Sequence, residues 1–189
     1  MKKFSLLVFA LLSLTIASAQ DSKFSATLGY PIAFGDNFLA DYTGIIDLGL
    51  QYRFIEAGLI NVGLSMNGGY YSENTELGLV TVEDRVLLIQ PKAYAELNGE
   101  VLGKFRPFLG LGYTIVSSSV RFEGAQSEPD RNDSEGGLNV NLGMAYDISE
   151  RLFAHVQYDY LNISRDNPNQ DIDFFTNASI LKLGIGFRF

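Results

Sequence analysis

Apolar and polar residues alternate along most of the chain. From Ile60 it runs I-N-V-G-L-S-M-N-G-G-Y, and from Leu138 it runs L-N-V-N-L-G-M-A-Y-D-I. Successive side chains of a strand point to opposite faces, so this period predicts strands with two unlike faces. Eight segments carry it, near residues 23–31, 44–54, 60–71, 86–97, 105–118, 138–148, 152–161 and 179–189. Most extend for about ten residues, longer than the five or six usual in globular strands. Pro91 and Pro107 fall inside two segments. A proline cannot donate to a ladder, so both are expected as local irregularities on the outward face. The pattern leaves no room for helices.

The connections alternate as well. Those at 55–59, 98–104 and 149–151 are short, and those at 32–43, 72–85, 119–137 and 162–178 are longer and more polar. The expected fold is therefore all-β, an antiparallel meander with turns at one end and loops at the other. Phe24, Ala26, Leu28 and Tyr30 form one apolar face; Ile46, Leu48, Leu50, Tyr52 and Phe54 another; Leu181, Leu183, Ile185, Phe187 and Phe189 a third. No charged residue falls on this face in any of the eight segments. A soluble lipocalin-type barrel would turn its apolar face inward around a cavity. Aromatics gathered near strand ends, such as Tyr30, Tyr52, Tyr70, Phe105, Tyr146, Tyr158 and Tyr160, instead fit the interfacial girdle of a membrane barrel.

The other face then lines a lumen, with Asp47, Arg53, Lys92, Glu96, Arg106, Asp147, His155, Asp159, Lys182 and Arg188 pointing into it. Four acids meet five bases there. Unpaired charge in a narrow interior costs several kcal/mol, so pairing is expected. Register predicts Glu96 with Arg106 and Asp159 with Lys182. Gly184 and Gly186 are expected to leave room for Lys182 and Arg188. Eight strands enclose a space that side chains fill, so an open pore is not expected.

The ends and the composition narrow the setting. Lys2 and Lys3 precede an apolar run from Leu6 to Ile16, and Ala17-Ser18-Ala19 has the small-x-small form of a signal-peptidase site. That reads as a cleaved signal peptide over 1–19, too short to span a bilayer as a helix, followed by one domain over 20–189. The mature chain keeps 12 Lys and Arg against 22 Asp and Glu, a net charge of −10, which argues against nucleic acid as a partner. With no cysteine, stability rests on packing or on the membrane.

Candidate chemistry is sparse. His155 is the sole histidine and falls four residues past the 149–151 turn, in the lower lumen. It reads as a hydrogen-bonded interior residue, no nucleophile or metal spacing accompanies it, and neither enzymatic activity nor a cofactor is expected. The loops hold Glu123, Glu128, Asp130, Asp133 and Glu135, then Asp166, Asp171 and Asp173. They read first as a solvated acidic rim, and second as a surface for an extracellular partner or a divalent cation.

The phrases R-P-F-L-G-L-G-Y (106–113), F-A-H-V-Q-Y-D-Y (153–160) and the closing K-L-G-I-G-F-R-F (182–189) carry a resemblance. The chain resembles small eight-stranded outer-membrane β-barrel proteins of the OmpA-barrel/OmpX kind, within the broad porin family of Gram-negative bacteria. The resemblance implies an up-and-down transmembrane β-barrel in the cell outer membrane, with both termini periplasmic. It implies outer-membrane lipid and lipopolysaccharide as surroundings, and a monomer. Lys182, Gly184, Phe187 and Phe189 match the family's C-terminal signal, read by the barrel-assembly machinery. The role it implies is structural or surface-interacting around a lumen plugged by polar side chains. The alternative is a narrow or gated channel for small solutes.

Overall fold

The computed structural model describes residues 23–77, 80–123, 131–164 and 176–189. The expected signal segment 1–19 lies outside them. Eight strands form one closed barrel in chain order: β1 (Phe24–Phe34), β2 (Thr43–Ala57), β3 (Ile60–Leu77), β4 (Val80–Leu97), β5 (Phe105–Glu123), β6 (Arg131–Asp147), β7 (Leu152–Ser164) and β8 (Asn177–Arg188). Each is antiparallel to its neighbours. β1 closes on β8 from Ser25↔Arg188 to Phe34↔Ser179, and the Phe189 N–H donates to the Phe24 carbonyl at 3.0 Å. Closure leaves no sheet edge among hydrocarbon, where an unpaired backbone group costs several kcal/mol.

The turns are as short as expected. Gly58 takes φ +60° between β2 and β3, a left-handed conformation that glycine adopts without the steric cost a Cβ brings. The 98–104 connection contains one helical turn, α1 (Gly99–Leu102), which the strand period alone did not predict. The larger difference lies at the opposite end. Residues 72–85 and 119–137 were expected as loops, but the β3–β4 ladder continues to Leu77↔Val80 and β5–β6 to Val120↔Arg131. Backbone hydrogen bonds satisfy themselves in a hairpin whether or not apolar burial accompanies them, so polar sequence did not end these strands.

The two faces fall as the alternation requires. Leu28, Leu48, Leu50, Leu64, Leu109, Leu142 and Ile185 all point out of the barrel and are exposed. So large a continuous apolar belt is an aggregation liability in water and a solvent match in a bilayer. Outward aromatics pair at the turn end, Phe24 with Tyr52 at 4.6 Å and Phe105 with Tyr146 at 5.0 Å between centroids. Phe34 and Tyr158 pair nearer the loop end at 6.0 Å. Pro91 is exposed and Pro107 partly so, both on the outward face.

Candidate functional site

Inward glycines decide where the large lumen residues sit. A Cβ at Gly112 would meet the Lys92 side chain, one at Gly110 would meet Asn141, and one at Gly63 would meet the Tyr94 ring. These three side chains thus lie over glycines of neighbouring strands. At β8 the expectation needs correction. The space left by Gly184 is filled by the His155 ring and that left by Gly186 by the Phe153 ring, not by Lys182 and Arg188.

The interior charges stack in two layers. In the central one, Lys182 Nζ is 2.7 Å from Asp47 Oδ2 and 2.9 Å from Asp159 Oδ2, and donates to Gln90 Oε1 at 2.6 Å. One ammonium therefore ties β8 to β2, β4 and β7. Asn67 Nδ2 donates to Asp47 Oδ1 at 2.9 Å, and Gln157 Nε2 to Asp159 Oδ1 at 2.6 Å. Lys92 Nζ stands 3.8 Å from Asp159. Two acids and two bases balance in this layer, as a low-dielectric interior demands.

In the layer nearer the turns, Asp147 bridges two arginines: Arg106 Nε at 2.7 Å and Arg188 Nη1 at 2.7 Å. Glu96 lies 3.4 Å from Arg106 and 3.9 Å from Arg53. Arg188 also covers the Phe153 ring at 4.3 Å, a cation–π contact in a desolvated setting. Both pairs read from register are present, but Arg106 makes its shorter contact with Asp147 on β6, and Lys182 serves two aspartates. His155 sits between the layers beside Phe153, at 6.2 Å between centroids, and takes part in no ion pair among the described residues. All ten predicted lumen residues are brought together. Of the closing residues, Phe187 and Phe189 face outward and stack at 6.4 Å.

The lumen is not polar throughout, contrary to the sequence reading. Towards the loop end Tyr71, Val86, Leu88, Val116, Leu161, Ile163 and Ile180 point inward and pack together. Residues 35–42 fold in to cap them, and Leu39 is 0 % exposed. Asn37 shapes this plug: its Nδ2 donates to the Phe34 carbonyl at 2.7 Å and its Oδ1 accepts from Leu39 N–H at 3.1 Å. Tyr42 OH donates to Asp84 Oδ2 at 2.5 Å. Burial first, then that aspartate, raises the phenol well above its ordinary range. A signal for the apolar cap was legible: Leu88, Leu161 and Ile180 share the parity of Gln90, Asp159 and Lys182.

Beside the plug, against Phe38 and Tyr42, opens a cavity of about 280 Å³ in which Asp41, Glu73, Asp84, Asp133 and Glu135 surround the apolar Val86 and Val116. Asp133 and Glu135 thus belong to an acidic rim, while the side chains of Glu123, Glu128, Asp130, Asp166, Asp171 and Asp173 lie outside the described residues. Among the described residues no group of carboxylates or imidazole is spaced to hold a metal ion.

The family model described as outer membrane protein beta-barrel domain matches residues 4–189. No curated protein matches the sequence. Among solved structures, the chain is similar to Ail, the attachment invasion locus protein of Yersinia pestis, crystallised with the heparin analogue sucrose octasulfate. That likeness is at 14% identity and TM-score 0.57, over 88% of this chain and 96% of that one. Neisserial surface protein A is similar at 17% identity and TM-score 0.56, over 87% and 94%. The N-terminal β-barrel domain of Pseudomonas aeruginosa OprF is similar at 15% identity and TM-score 0.56, over 88% and 96%. At these identities the likeness is one of fold.

Proposed function

The chain belongs to the outer membrane protein β-barrel family, and from that premise we propose that it acts at the cell surface by contact, without chemistry or an open pore of its own. The observation that carries this reading is the height of β3 to β6. β3 pairs with β2 only as far as Thr43↔Ser72, and β6 with β7 only as far as Gly136↔Ser164. Beyond those points four strands continue as one sheet, and the outer edge of β3 past Ser72 pairs with no strand among the described residues. An unpaired edge is a template for an extended partner segment. The acidic rim below it favours a partner with a basic surface, and disfavours a polyanion of the kind that Ail was crystallised with.

Two features support the absence of a pore: the crossed ion pairs of the lumen and the plug at residues 35–42. In the proposed orientation the turn end faces the periplasm and the protruding sheet faces outward. Lys182, Gly184, Phe187 and Phe189 serve as the signal for assembly. Planar-bilayer recording of the refolded protein tests the plugged reading: silence or rare brief events are expected, and steady large openings would establish a channel. Replacing residues 74–83 with an Asn-Gly turn tests the contact reading. The barrel should still assemble, while binding of a basic probe such as polylysine to cells displaying it should fall. Undiminished binding would reject the sheet as the contact surface.

A further inference from the structure

On the outward wall near the turns, the β4–β5 ladder runs down to Glu96↔Phe108 and stops. The next residues, Leu97 and Pro107, do not pair, and Pro107 has no N–H to offer. At this place lies a groove of about 240 Å³, lined mainly by Ile60, Ala95, Leu97, Pro107, Leu109 and Leu142, with the buried Glu96 and Phe108 behind them. Ala95 and Pro107 are partly buried there, while Leu109 and Leu142 stand out beside them. Leu109 and Leu142 are more than half exposed, so the groove opens away from the lumen. Just towards the turn stand Phe105 and Tyr146, with Lys104 Nζ 6.0 Å from the Tyr146 ring. An apolar slot in the belt, ending at an aromatic pair with one cation, matches a chain and a phosphate joined in one molecule. We propose that this groove is a binding site for one phospholipid, its acyl chain lying along Ala95 and Pro107 and its phosphate against Lys104.

The test is native mass spectrometry of the protein released from nanodiscs made of equal parts phosphatidylglycerol and phosphatidylethanolamine. The wild type should retain one phospholipid. Ala95→Phe fills the slot and should abolish retention. Ala93→Phe, two residues along β4 on the same outward face and outside the groove, should retain it as the wild type does. Lys104→Gln should lower retention by about fivefold, the weight of one surface lysine. No retained lipid in the wild type, or equal retention in Ala95→Phe, would overturn the site. Unchanged retention in Lys104→Gln would overturn the phosphate contact. None of these outcomes depends on whether the protruding sheet binds a partner.

Discussion

At the scale of single residues, the lumen behaves as a set of shared charges. Lys182 neutralises both Asp47 and Asp159, and its side chain is 1 % exposed. Lys182→Ala would leave two buried carboxylates near one another with only Lys92 at 3.8 Å. The expected loss is about 3–5 kcal/mol in denaturant unfolding of the refolded barrel. Removing Asp159 as well should recover part of it. Glu96→Ala should cost less, about 1–3 kcal/mol, because Arg106 keeps its 2.7 Å contact with Asp147. The cycle of Glu96→Ala with Arg106→Ala should show a non-zero coupling. Strictly additive losses would mean that the 3.4 Å contact contributes nothing.

At the scale of elements, the segment 35–42 is held by the buried Leu39, by Phe38 and Tyr42 packed beside it, and by hydrogen bonds from Asn37 to the Phe34 carbonyl and from Tyr42 to Asp84. Leu39→Ala should weaken its docking by about 2–5 kcal/mol, since a buried leucine leaves a cavity behind. The barrel wall does not depend on this segment, so the loss should appear as local opening. Chymotrypsin should then cut within 35–42 much faster, while the global unfolding midpoint changes little. A large fall of the midpoint without faster cleavage would show that the plug is part of the cooperative barrel. The length of β3 to β6 is the other lesson at this scale. Polar sequence at 72–85 and 119–137 suggested loops because burial usually ends where polarity begins, yet hairpin pairing needs only a neighbouring strand.

At the scale of the molecule, the closed sheet and its apolar belt make the membrane part of the fold. The purified barrel, expressed as residues 20–189, should remain monodisperse only with detergent or lipid; solubility without either would refute the outward placement of the belt. Deleting Phe189 tests assembly. In the structure this residue adds one N–H bond to the Phe24 carbonyl and two stacked contacts, with Phe24 at 6.5 Å and Phe187 at 6.4 Å. Its loss should cost refolding in detergent no more than about 1.5–3 kcal/mol. Accumulation in cellular outer membranes should fall far more, if the proposed signal is read there. Equal accumulation of truncated and full chains would remove that role.

The amino-acid sequence by itself determined the strand count, the closing order and the face each residue takes, because a period of two is a local property of the backbone. It also placed the ten lumen charges and the outward aromatics, since parity along one strand is enough for that. Register along neighbouring strands already put Glu96 with Arg106 and Asp159 with Lys182; tertiary structure alone decided the other partners. Asp47, Gln90 and Asp159 reach Lys182 from three strands, none of them adjacent to it except β7, and only barrel closure and stagger bring them together. The same holds for the glycines: His155 and Phe153 take the space beside Gly184 and Gly186 because the β7–β8 register puts them opposite. The apolar cap under Leu39 needed both, a parity visible in Leu88, Leu161 and Ile180 and a loop whose inward fold no period records.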